Sequence, residues 1–150
     1  MNKVGKYTEK YGGIALGLFI GLYFYSQNII FWGNNDILVF KSMDIGFILF
    51  GFFLTVLALI VQGDNASLRR LKQYQGYSRI IKFSRRVVFL SAIIGFYSLA
   101  IASQLNEKIP LYIDNVFFSF FAFLWIWLLF DSIIFLIIFY NIILQSSKES

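Results

Sequence analysis

The residue that most invites chemistry is Asp131, a carboxylate inside the apolar run FAFLWIWLLFDSIIFLIIFY at 121–140. Near the middle of a membrane-spanning helix an ionised carboxylate costs roughly 2.5–3.5 kcal/mol on insertion scales. Something must offset that. No Lys, Arg or His falls inside the four apolar windows of the chain, so Asp131 is expected either to carry a proton or to face water. On a helical wheel Asn141 and Gln145 fall within about 80° of it, with Trp127 also near, which predicts a polar stripe turned toward protein or water.

Three roles fit such a carboxylate. A neutral Asp131 can donate to a neighbouring helix, copies of it can line a cation path in a homo-oligomer, or it can couple proton movement to transport. A span that begins near Trp125 would instead set Trp125 and Trp127 in an interfacial aromatic belt and bring Asp131 closer to the surface.

Other chemistries are closed off. The chain has no cysteine and no histidine, so thiol and imidazole catalysis, disulfides and Cys or His metal sites are all excluded. An aspartyl mechanism needs two carboxylates, and one chain offers one within its apolar windows. The expectation is a non-enzymatic protein with no cofactor and no metal.

The elements that hold these residues follow from composition. Of 150 residues 59% are hydrophobic and only 14% charged, and the mean hydropathy is +0.72. A soluble core of this size would leave its outside covered in Phe, Ile and Leu, so an all-α integral membrane protein is expected. Four windows, 11–32, 45–61, 87–105 and 116–144, have about the length needed to cross a hydrocarbon layer of roughly 30 Å. The second is short, and the fourth must tilt, bend or project beyond the bilayer. Lys3, Lys6 and Lys10 before the first window suggest a signal peptide, but its apolar run is too long and no small-residue cleavage site follows.

Seven of the 13 Lys and Arg residues lie at 63–86 and three precede the first window. The positive-inside rule therefore predicts both termini and the middle loop in the cytoplasm of a bacterial cell, with two helical hairpins crossing the inner membrane. The loop GDNASLRRLKQYQGYSRIIKFSRR is too short for a domain. Asp64 or Asn65 can cap a short amphipathic helix carrying Leu68 and Leu71, Gly76 interrupts it, and Ile80 and Ile81 imply that the third helix starts before the lipid. Arg69, Arg70, Lys72, Arg79, Lys82, Arg85 and Arg86 form a surface for anionic lipid, for a cytoplasmic protein, or for an anionic nucleotide or oligonucleotide, with Tyr74 and Tyr77 available for stacking.

Gly13, Gly17 and Gly21 recur at four-residue spacing along one stripe of the first helix. Such a stripe admits a close helix, either from the same chain or from a second copy. Ser91 with Gly95, and Ser98 with Ala102, are candidate counterparts on the third helix.

In having four short helices and one intramembrane carboxylate the chain is similar to small multidrug exporters, but their carboxylate lies in the first helix. The paired hairpins around LRRLKQYQGYSRIIKFSRRVVFL, with almost no soluble mass, resemble small four-helix membrane effectors of bacterial anti-phage systems. That resemblance implies an oligomer that permeabilises the inner membrane under control of a cytoplasmic partner or nucleotide-derived signal. The expected function is thus an ion-conducting or membrane-disrupting homo-oligomer with Asp131 and Trp127 near the path. The alternatives are a non-conducting membrane anchor or immunity-type interaction subunit, and a proton-coupled exporter.

Overall fold

The computed structural model describes residues 3–27, 36–62, 77–104 and 111–148. They form four helices and, among the described residues, no strand: α1 (Lys3–Ser26), α2 (Asp36–Gln62), α3 (Tyr77–Gln104) and α4 (Leu111–Lys148). The chain is an all-α, multi-pass membrane protein, and three of its helices, over Ile37–Gln62, Tyr77–Ser103 and Asp114–Asn141, are long and apolar enough to span. α1 falls short of that mark. Glu9 and Lys10 precede an apolar stretch diluted by glycine and tyrosine, and the helix ends at Ser26, not at the expected residue 32. There the Ser26 hydroxyl and the Gln27 N–H both donate to the Tyr23 carbonyl.

The other helices overrun their apolar windows. α2 starts at Asp36, before 45, because Val39 and Ser42 are already buried and hold its first turns against the bundle. α3 starts at Tyr77, ahead of its apolar run, as Ile80 and Ile81 foretold. α4 has 38 residues, so at about 1.5 Å per residue it is roughly 57 Å long and must extend past the hydrocarbon layer. Both Trp125 and Trp127 lie inside its apolar stretch, Asp114–Asn141.

The helices do not all pack in chain order. α3 and α4 pack as a hairpin, but α1 lies on α4 and α2 lies on α3. Packing is antiparallel throughout: Gly13 sits against Trp127 and Gly21 against Ser119, while Gly46 sits against Gly95 and the Tyr77 hydroxyl donates to the Ile60 carbonyl. The beginnings of α1 and α3 therefore share one end of the bundle with the ends of α2 and α4.

Close backbone approach decides who pairs with whom. A Cβ on Gly46 would lie 2.9 Å from the Gly95 nitrogen, and one on Gly17 would lie 2.8 Å from the Phe123 carbonyl oxygen. Ser91 and Gly95 thus serve the α2–α3 contact and do not receive the glycine stripe of α1. The Ser91 hydroxyl is spent within α3, donating to the Val87 carbonyl at 2.8 Å.

The core follows one stripe of α3, with Ile80, Phe83, Val87, Leu90 and Ile94 buried at intervals of three and four. It meets Leu124, Leu128, Phe135 and Ile138 of α4, and Phe53 of α2, whose ring stands edge-on to Phe135. At the opposite end Val39, Ile101, Phe118 and Phe121 close a second cluster with Phe24 of α1.

Candidate functional site: an ion pair within the helices

Asp131 lies on the buried stripe of α4, between Leu128 and Phe135, and is 0% exposed. Its Oδ2 is 3.0 Å from a guanidinium nitrogen of Arg86 on α3. This corrects the expectation that no cation reaches it. Arg86 precedes the apolar window of α3, but the antiparallel register of α3 and α4 sets it level with Asp131.

Arg86 is held from several sides. Its guanidinium lies 5.7 Å from the Trp127 ring and 5.5 Å from the Phe83 ring, within range of cation–π attraction. It also donates to the Lys10 carbonyl of α1 at 3.4 Å. The Trp127 indole nitrogen is buried beside the same carboxylate. Neither carboxylate oxygen has a well-directed hydrogen bond among the described residues, so the attraction is chiefly ionic.

Gly13 completes the site from α1. A Cβ there would fall 3.4 Å from Asp131 Oδ1 and 2.7 Å from the Trp127 ring, so glycine is what lets α1 cover the pair. About two turns along α3 from Arg86, toward the basic end, Arg79 pairs with Glu9 of α1. One ion pair thus ties the first helix to the third, and a second, through Asp131, ties the third to α4.

Of the expected polar stripe, Trp127, Asp131 and Asn141 have described side chains. Asn141 is exposed and stands apart from buried Asp131, and Gln145 lies in the last turns of α4 with its side chain outside the described residues. Arg69, Arg70 and Lys72 and the proposed amphipathic helix around Leu68 also lie outside the described residues. Of the basic set, Arg79 and Arg86 are ion-paired, whereas Lys82 and Arg85 are exposed and have no acidic partner among the described residues.

Sequence reasoning missed Arg86 as the partner because it treated the window edges as the limits of contact. In the folded helices Arg86 stands nine residues after the start of the α3 span and Asp131 ten residues before the end of the antiparallel α4 span, a match that the apolar windows 87–105 and 116–144 do not show.

Beside the pair α3 and α4 part to leave a groove of about 700 Å³, bordered by Lys82, Arg85 and Arg86 at one end and by Phe89, Ile93 and Phe123 farther along. Chemically the site is a desolvated charge pair with one open flank. Among the described residues no cluster of Asp and Glu could hold a metal ion. Comparison of the chain with protein families, curated proteins and solved structures finds no match.

Proposed function

We propose that this chain is a non-enzymatic interaction subunit or anchor of the bacterial inner membrane, with its termini and basic loop in the cytoplasm. The observation that carries this reading is the burial of Asp131 against Arg86 of its own chain. A carboxylate neutralised inside one protomer does not offer a ring of charge to passing cations. The glycine stripe is likewise occupied by α4, which leaves the basic end as the surface free for a partner or for anionic headgroups. The resemblance to anti-phage membrane effectors makes the chain, in this reading, the membrane-bound member that recruits or restrains another component through residues 63–86.

A second reading has one observation in its favour. Arg86 is 21% exposed and borders the groove, so the pair is reachable from one side. In a homo-oligomer, opening of that pair could expose Asp131 to a conducting path or to a coupled proton.

Reconstitution into liposomes separates the two. The interaction reading expects no ion flux above protein-free vesicles for wild type or Asp131→Asn, with or without an imposed potential. Flux that changes selectivity or vanishes in folded Asp131→Asn would replace it with the conducting oligomer.

A further inference from the structure

We infer that the groove between α3 and α4 is a binding site for one anionic glycerophospholipid, with its phosphate at Lys82 and Arg85 and an acyl chain along Phe89, Ile93 and Phe123. This deepens the interaction reading by naming a partner for the basic end. The stripe of α3 that borders the groove changes character along its length. Lys82, Arg85 and Arg86 occupy its first turns, and Phe89 and Ile93 continue the same face one and two turns on.

The order matters, because a lipid presents the same order: a phosphate at the interface and hydrocarbon below it. Lys82 and Arg85 are exposed and have no acidic partner among the described residues, and Ser78 adds a hydroxyl beside them. Across the groove Phe120, Phe123, Leu124 and Trp127 of α4 supply an apolar wall. A free phosphate would satisfy only the first part of this surface.

A second copy of the chain is the weaker occupant. Near this end Glu9 is taken by Arg79 and Asp131 by Arg86. Asp44 lies beyond Gly46, toward the far end of the bundle, and Asp114 stands there too, at the start of α4. Among the described side chains no carboxylate at this end is left to meet Lys82 and Arg85, whereas inner leaflets rich in anionic lipid do supply the charge.

The test is native mass spectrometry of the full chain released from nanodiscs containing phosphatidylglycerol and phosphatidylcholine with identical acyl chains. Wild type should retain one phosphatidylglycerol in preference to phosphatidylcholine. K82Q/R85Q, which alters two exposed side chains, should reduce that preference by about tenfold or more. I93W, which fills the apolar part without changing charge, should also release the lipid, and millimolar inorganic phosphate should not displace it from wild type.

Absence of a preference in wild type overturns the proposal. So does retention in K82Q/R85Q, or displacement by phosphate, which would make the site one for a free anion. Loss in K82Q/R85Q with full retention in I93W would also overturn it, since contact would then be headgroup attraction alone. If I93W does not fold, F89S removes an exposed apolar side chain and takes its place with the same expectation. Ion flux in liposomes would sink the anchor reading and leave this site standing, and loss of lipid preference would do the reverse.

Discussion

Gly13 of α1 faces Asp131 of α4 so closely that a methyl group on it would lie 3.4 Å from the carboxylate and 2.7 Å from the Trp127 ring. The charge pair and the glycine stripe, separate features of the sequence, are thus one construction. The stripe brings α1 down onto α4 and seals the side of Asp131 that Arg86 leaves open.

Close approach makes the cost of added volume specific. Gly17→Ala would set its Cβ 2.8 Å from a backbone oxygen of Phe123, which cannot turn aside, and should destabilise the bundle by about 1–3 kcal/mol. Gly51→Ala meets nothing within 4 Å and should be neutral or stabilising by up to about 1 kcal/mol. Equilibrium unfolding in mixed micelles would check both, and equal effects would refute the role of the stripe.

Breaking the ion pair from one side should hurt more than removing it. Arg86→Met strands a buried carboxylate and should cost about 3–5 kcal/mol, while Arg86→Met with Asp131→Leu should recover much of that loss. Asp131→Leu alone should be milder than Arg86→Met, because the partly exposed guanidinium can turn toward the groove. A double-mutant cycle reads the coupling, and additive effects would mean that the two charges do not act as a pair.

Tyr97 joins α3 to α4 near the other end. Its hydroxyl donates to the Phe117 carbonyl at 2.9 Å, and its ring packs edge-on to Phe120. Tyr97→Phe keeps the ring and should lose about 0.5–1.5 kcal/mol. Unchanged unfolding would show that the carbonyl finds another partner at no cost.

Topology gives a further check. With basic segments before α1 and at 63–86, reporters fused to the N-terminus and to the C-terminus should both signal from the cytoplasm. Opposite locations would mean that α1, which falls short of the spanning mark, does not cross.

The helices were legible where apolar periodicity is one-sided. The buried positions of α3 follow a 3.6-residue rhythm from Ile80 to Ile101, and the small residues Ser84, Ser91 and Ser98 fall on the same stripe. α4 is apolar on every side, so nothing in its hydropathy separates buried Leu128 from exposed Leu129. Asp131 was legible as a residue that needs a partner, but the identity of that partner depends on helix register, which composition does not encode. The pairing of α1 with α4 was hidden for a related reason: a glycine stripe announces a close neighbour without saying which.

That same pairing constrains how the protein is made. α1 leaves the ribosome first and α4 last, yet the ridge of Phe123, Trp127 and Phe130 that fills the glycine stripe belongs to α4. Until α4 has been made, α1 has no counterpart for its flattest face, and Glu9 and Lys10 weaken its own hold on lipid. The nascent chain must therefore keep its first helix waiting through the synthesis of the other three, so this contact is long-range in sequence and should form late. A chain truncated before α4 would expose both the stripe and the unpaired Arg86, making it a ready substrate for membrane quality control.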